Sequence, residues 1–135
     1  MKVFLDTNVL VGAFVARGLC ADLLRTVLAE HELIVGEVVL VELRRALAHW
    51  AGIPPQLVNE IEQFLRGYPV VPRPSGHLAL GLRDADDEWI IASAVAAGAD
   101  VLVTGDADLL EAETPLPIPT LTPRQAWGAL RQQEP

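Results

Sequence analysis

Short apolar runs alternate with longer amphipathic segments along the chain, and this alternation constrains the fold more than any other feature. Strands of Val, Ile and Leu separated by helices are typical of a parallel sheet covered on both faces. We therefore predict a single three-layer α/β/α domain over residues 1–135, with a central parallel sheet of four to five strands. The predicted strands are 2–5, 33–35, 68–71, 101–103 and 118–121. The predicted helices are 8–16, 21–29, 37–50, 54–65, 84–97 and one that begins at Pro123.

The acidic residues are unevenly distributed. Eighteen Asp and Glu against ten Lys and Arg give a net charge of −8, which argues against broad nucleic-acid binding through the chain's own charge. Nine of the acids lie between Asp84 and Glu113, a segment without Lys, Arg or His. Such a block repels itself unless it is solvated or holds cations. The charge pattern therefore indicates a metal site.

Other composition features exclude several classes of protein. The longest uncharged apolar stretches, 9–16 and 89–99, are shorter than the roughly 20 residues of a membrane span, and Asp6 interrupts any signal-peptide core. The lone Cys20 cannot form an internal disulfide or a thiolate zinc site. We expect a cytoplasmic protein with no membrane association. The scattered histidines have no ligand spacing and are predicted to lie on the surface: His31, His49 and His77.

Two acids follow predicted strands directly. Asp6 comes after the first strand, and Asp106 comes after the strand 101–103. The carboxyl ends of parallel strands meet at one edge of a sheet, where ligands bind at a topological switch point. Alternative roles are a helix N-cap for Asp6 and a turn beside Gly105 for Asp106, while Asp108 can cap the next turn.

Two further acids lie on predicted helices. Asp87 shares a helix face with the apolar Ile90, Ile91 and Ala94, whereas its acidic neighbours point to the sides. The alternative role for this group of acids is to cap the start of the helix. Those neighbours are Asp84, Asp86 and Glu88. Glu42 lies at the edge of an apolar stripe on its predicted helix, where it can contribute to the site. The alternative is that it is an ordinary solvent-exposed glutamate. That stripe consists of Val39, Leu43, Leu47 and Trp50.

Carboxylates that converge in this way need a cation. Like charges raise one another's pKa values unless a cation neutralises them, and all-oxygen ligands suit Mg²⁺ or Mn²⁺. The only lysine, Lys2, precedes the first strand, and position 8 is Asn8. These two facts exclude haloacid-dehalogenase phosphatases and receiver domains, and the chain has no Gly-rich phosphate loop.

Three segments, in order, resemble the motifs of the PIN domain family. They are Val3-Phe4-Leu5-Asp6-Thr7-Asn8, the helix start Arg83-Asp84-Ala85-Asp86-Asp87-Glu88, and Val101-Leu102-Val103-Thr104-Gly105-Asp106. The likeness extends to Leu121-Thr122-Pro123 and is greatest to PIN proteins of toxin–antitoxin systems, the relatives of VapC-type toxins. This resemblance implies a PIN-like fold and a single-strand ribonuclease that depends on Mg²⁺ or Mn²⁺.

Carried over by position, the resemblance implies which residues form the site. Glu37 competes with Glu42 as the second acid. The catalytic and metal-binding acids are Asp6, Glu42, Asp87 and Asp106. The supporting residues are Asn8 and Thr104, and possible additional acids are Asp84, Asp86 and Asp108. Candidate phosphate contacts, which can equally be solvated surface residues, are Arg44, Arg45, Arg73 and Arg83.

The resemblance leaves more than one function open. The first expectation is a metal-dependent endoribonuclease that acts as the toxin of a toxin–antitoxin pair on single-stranded or structured RNA. The alternatives are a housekeeping RNA-processing nuclease and a catalytically inert interaction module. The resemblance also implies a homodimer and an antitoxin partner, which the apolar stretches 9–16 and 127–130 are predicted to contact.

Overall fold

A five-stranded sheet, parallel throughout, forms the centre of the protein in a computed structural model that describes residues 1–77 and 79–131. Its strands run in the order β3-β2-β1-β4-β5. They are β1 Lys2–Leu5, β2 Glu32–Gly36, β3 Val70–Val71, β4 Val101–Val103 and β5 Thr120–Leu121. The five predicted strands are thus confirmed, with shorter bounds for the third and the fifth.

Helices flank this sheet, and the predicted α/β architecture is confirmed. They are α1 Thr7–Val15, α2 Leu19–Glu30, α3 Glu37–Arg45, α4 Pro55–Leu65, α5 Ala85–Ala96, α6 Ala107–Leu110 and α7 Pro123–Arg131. A π turn, Ala46–Trp50, continues α3. The side chains of Thr122 and Gln125 exchange hydrogen bonds with each other's backbone N–H at 3.0 and 2.9 Å, which is a capping box at the start of α7.

The strand order creates a topological switch point between β1 and β4. From β1 the chain crosses to β2 on one side, and it returns to β4 on the other side. Strands β1 and β4 pair so that Leu5 lies opposite Val103, and both strands therefore end at the same level. The residues that follow them, Asp6 and Thr104, therefore meet at the edge of the sheet where open α/β folds bind ligands.

The core supports this edge with close packing. Val3 and Phe4 are fully buried in β1, as is Leu102 in β4. Gly36, between β2 and α3, lies so near the Phe4 ring that an added Cβ would stand 2.9 Å from Cζ. The close approach fixes the start of α3, which carries Glu42.

Three sequence predictions are wrong in this region of the fold. The sequence places Trp50 on the apolar stripe of this helix, since an unbroken α-helix would turn it only about 20° from Leu43. The π turn instead leaves Trp50 90% exposed. Glu88, expected at the side of α5, is buried because the loop before α5 covers it: the Leu80 N–H donates to Glu88 Oε2 at 2.6 Å. His31 is half-buried, with both ring nitrogens enclosed, rather than a surface residue.

Across the described residues, no single helix is long and apolar enough to cross a membrane. Only when taken together are helices α1 and α2 long and apolar enough, and the chain bends by 103° where they join.

Candidate metal centre

A cleft of about 370 Å³ opens at the switch point. The Asp6 N–H donates to the Val103 carbonyl at 2.9 Å, so the backbone after β1 stays hydrogen-bonded to β4 as it enters the cleft. Five of the predicted acids converge here from β1, α3, α5 and β4. The described residues that line the cleft are Asp6, Thr7, Asn8, Val11, Glu42, Ala46, Trp50, Asp84, Asp87 and Asp106.

Asp6 is buried at the base of this site and is held by several donors. Its Oδ1 accepts the Thr7 N–H at 2.7 Å, and its Oδ2 accepts the Thr104 hydroxyl at 2.7 Å. Burial raises the pKa of Asp6 above its ordinary value, these hydrogen bonds oppose the rise, and the nearby Asp106 carboxylate adds to it. Asp6 is also the N-cap of α1, so the cap role and the site role coexist in one residue.

Thr104 and Asn8 connect the two strand ends. The Thr104 hydroxyl, which donates to Asp6, also accepts the Asp106 N–H at 3.0 Å. The Asn8 side chain accepts the Gly105 N–H at 2.9 Å. This network fixes the loop after β4 against the start of α1. The supporting role that the resemblance implies for both residues stays a prediction.

Asp87 has a strongly raised pKa in the cleft. It is buried in the first turn of α5, and its Oδ2 has no hydrogen-bond partner among the described residues. Burial, followed by the charges of Asp106, Asp84 and Asp6 and by a hydrogen bond between the Asp87 and Asp106 carboxyl groups, raises its pKa to about 8. A buried carboxylate with an unpartnered oxygen next to other carboxylates is the environment that a bound cation stabilises.

Three carboxylates come within reach of a single ion. Oxygens of Asp87, Asp106 and Asp108 all lie within 4.8 Å of one another. Asp106 also caps α6 by accepting the Asp108 N–H at 2.9 Å, which brings Asp108 toward the cluster. Asp108 lies 3.7 Å from Arg83 as well. The donor set contains only oxygen, so the residues fit Mg²⁺ or Mn²⁺ rather than zinc.

The structure separates the two candidates for the fourth acid. Glu42 lines the cleft, where its Oε2 accepts the Thr7 hydroxyl at 2.9 Å. Its pKa is raised by burial and by the charges of the cleft acids, while the bond from Thr7 opposes the rise. Glu37 instead forms a bidentate pair with Arg66 at 2.7 and 3.0 Å outside the cleft. Glu42 is therefore the acid that shares the site.

Asp84 and Asp86 differ in their relation to the site. Asp84 lines the cleft and is the N-cap of α5, accepting the Asp86 N–H at 2.9 Å. Asp86 does not line the cleft, although its charge contributes to the raised pKa of Glu42.

The arginines predicted to contact phosphate lie outside this lining. Arg44 is paired with Glu62 at 2.7 Å and with Asn59 at 2.9 Å. Arg73 stacks over the Trp89 ring at 4.0 Å from its centroid. Arg45 is exposed at the end of α3, next to the π turn. No Lys or Arg is found among the described residues that line the cleft.

Sequence reasoning gave no role in the cleft to four of its lining residues, and two of these, Thr7 and Trp50, bear on the site. Thr7 connects the start of α1 to Glu42, a contact between residues 35 positions apart that no local pattern indicates. Trp50 lines the cleft because of the π turn, which the apolar spacing of α3 concealed.

Comparison with known proteins identifies the family. A family model for the PIN domain matches residues 2–108, and the chain belongs to this family. Its fold is similar to a chain of the VapBC2 complex from Rickettsia felis, solved with a DNA fragment from the promoter of that pair, at 17% identity and a TM-score of 0.63. FitAcB from Neisseria gonorrhoeae is similar at 18% identity and the same TM-score. Each match covers 90% of this chain and 98% of the other. No curated protein sequence matches the chain.

Proposed function

We propose that this PIN domain is a metal-dependent endoribonuclease whose site is the cleft at the switch point. The observation that carries the proposal is the buried Asp87 carboxylate, with its unpartnered oxygen and a pKa of about 8, within one ion's reach of Asp106 and Asp108. When Asp87 is ionised, such an arrangement is unfavourable without a cation and favourable with one.

The residues divide into ligands and supports. Asp87 and Asp106 would hold Mg²⁺ or Mn²⁺, together with Asp6 or Asp108. When bound there, such an ion would supply a water of lowered pKa and positive charge to offset the negative charge that develops on a phosphodiester during hydrolysis. Glu42, anchored by the Thr7 hydroxyl, orients the attacking water and accepts its proton. Thr104 keeps Asp6 and Asp106 aligned through its two hydrogen bonds.

RNA is the substrate class that family membership favours, and a toxin role is favoured by the structural relatives. VapBC2 is solved as a complex of two components bound to promoter DNA, which supports an antitoxin partner for this chain as well. A housekeeping nuclease would use the same residues, so the site does not separate the two roles. Growth arrest of a bacterial host on expression, relieved by the product of a neighbouring gene, would support the toxin role.

The experiment that tests the activity is cleavage of a labelled single-stranded RNA. The pure protein is incubated with Mn²⁺, with Mg²⁺ and with a chelator, beside Asp6→Asn and Asp87→Asn. We expect metal-dependent cleavage that both variants lose while their circular dichroism stays unchanged. Absence of cleavage on varied RNAs, together with no metal binding by calorimetry, would contradict the proposal and favour an inert interaction module.

A homodimer is part of this proposal. The stretches 9–16 and 127–130, which are predicted to make the contact, contribute little exposed apolar surface. Val9 and Leu10 of α1 and Leu130 of α7 are buried in the core, and Val15 is the exposed apolar residue at the end of α1. Trp127 is covered in part by Arg131, whose guanidinium lies 4.8 Å from the ring centroid. Light scattering at high protein concentration tests the oligomeric state, and a protein that stays monomeric would contradict the proposed homodimer.

A further inference from the structure

The π turn that follows α3 directs an exposed aromatic ring into the acidic cleft. Trp50 is the most exposed large apolar side chain among the described residues, at 90%, yet it lines the same cleft as Glu42 and Ala46. A continuous α-helix would rotate Trp50 about 80° away from Glu42. The wider turn, closed by the Ala51 N–H donating to the Ala46 carbonyl five residues back, rotates the chain less and keeps Trp50 on the Glu42 side.

The chemistry of the cleft calls for a contact of this kind. The chain carries a net charge of −8, and its described cleft lining contains five carboxylates without Lys or Arg. Apart from a bound cation and from Arg83, which lies 3.7 Å from Asp108 of the acidic cluster, a polyanion therefore gains little attraction there, because phosphate contacts by Lys and Arg are the usual source of affinity. An aromatic face supplies affinity that does not depend on charge, since every base has a π-face on which it can stack.

We infer that Trp50 is a positioning residue that stacks on a base of single-stranded RNA and holds the adjoining phosphodiester over the carboxylates. This inference rests on the proposed ribonuclease function and names the contact that selects an unpaired strand. Ala46, one turn before Trp50, presents only a methyl group to the cleft and leaves room between the ring and the acids. Bases held within a duplex stack are not available to such a ring, so single strands are favoured.

The test separates stacking from a merely structural role. Wild type is compared with Trp50→Phe, which keeps an aromatic ring, and with Trp50→Leu and Trp50→Gln, which remove it. Val41→Ala is the matched control, because Val41 is 50% exposed on α3 but does not line the cleft. Cleavage of a short labelled single-stranded RNA in Mn²⁺ gives KM and kcat for each variant.

We expect Trp50→Leu and Trp50→Gln to raise KM about tenfold, with Trp50→Phe and Val41→Ala within about threefold of wild type. A second arm uses two unlabelled competitors, one single strand with bases and one with abasic sugars. Wild type should bind the strand with bases about tenfold more tightly, whereas Trp50→Leu should bind the two alike. All variants should bind manganese with the same affinity and should have the same oligomeric state by light scattering.

Several results would overturn the inference. If wild type cleaves RNA and Trp50→Leu has the same KM, the stacking role fails while the ribonuclease stands. If Trp50→Leu and Trp50→Gln change the oligomeric state measured by light scattering, the ring takes part in a contact between protein chains instead. If wild type neither cleaves nor binds RNA, the proposed function fails, and the role of Trp50 fails with it.

Discussion

The hydroxyl of Thr104 donates to Asp6 Oδ2 at 2.7 Å, and both residues are buried at the point where β1 and β4 end. The same hydroxyl accepts the Asp106 N–H, so one side chain connects the two acids that follow neighbouring strands. The pair lies at the switch point of the sheet, and the register of β1 against β4 brings it together. The acidic cleft is therefore a direct consequence of the strand order.

Replacing Thr104 by Val should lower the stability of the fold and weaken manganese binding at the cleft, although valine has nearly the same shape as threonine. The buried Asp6 Oδ2 would lose its 2.7 Å donor and keep only the longer bond from Asn8 Nδ2 at 3.4 Å, which costs about 1–3 kcal/mol of unfolding free energy. The loss would also raise the pKa of Asp6 further, because the Thr104 bond lowers it, and would weaken manganese binding. Urea denaturation and calorimetry measure both effects. Thr104→Ser should retain near wild-type values, and a Val variant equal to wild type would contradict the role.

The metal-free protein should lose stability as pH rises from about 4 toward 8. Asp87 has a folded pKa of about 8, whereas an unfolded Asp titrates near 3.9. Between these values the folded state binds more protons than the unfolded state, so the unfolding free energy falls with rising pH. Melting temperatures in chelator should therefore be higher at pH 6 than at pH 8.5.

Two controls connect this pH dependence to the site. Asp87→Asn should show a shallower decline, because the titrating carboxyl is gone while the other cleft acids remain. Added Mn²⁺ should raise the melting temperature of wild type most at the higher pH, where Asp87 is ionised. A decline of equal slope in Asp87→Asn would show that another group is responsible.

Glu42 and Glu37 should differ sharply in their effect on activity. Glu42→Gln should reduce RNA cleavage by about 100-fold or more, because the side chain that we propose orients and deprotonates the water would lose its basic oxygen. Glu37→Gln should leave cleavage unchanged and reduce the unfolding free energy by less than about 1 kcal/mol, since its pair with Arg66 is solvent-exposed. Equal losses of activity in the two variants would contradict the assignment.

Gly36→Ala should destabilise the fold because the new Cβ would stand 2.9 Å from the buried Phe4 ring. Overpacking of this kind costs about 1–3 kcal/mol. Gly128→Ala is the control: a Cβ there meets no atom within 4 Å, and alanine in α7 should raise stability by up to about 1 kcal/mol. Thermal denaturation distinguishes the two, and a neutral Gly36→Ala would contradict the close packing.

The elements that were predicted correctly depend on local patterns, and so does the convergence of the acids that line the cleft. Apolar runs identify the strands, and the acids that follow them must meet because parallel strands end at one edge. Asp87 was found from helical spacing alone, since an acid on an apolar face needs a partner.

The features that were missed depend on geometry that the sequence does not display. The buried position of Glu88 is set by a loop that folds back over α5, and the contact of Thr7 with Glu42 is set by how α1 packs on α3. Trp50 fits an apolar α-helical stripe, and only the π turn moves it into the cleft. The spacing of apolar residues does not report a change in helix type.

The most direct test of the metal centre is a crystal structure of the protein soaked in Mn²⁺, with anomalous diffraction data recorded for manganese. The account predicts an anomalous peak in the cleft within coordination distance of Asp87 and Asp106 carboxylate oxygens, and its loss in Asp87→Asn crystals. Crystals that show no peak in the cleft, with Asp87 protonated and hydrogen-bonded to a neighbouring acid, would contradict it.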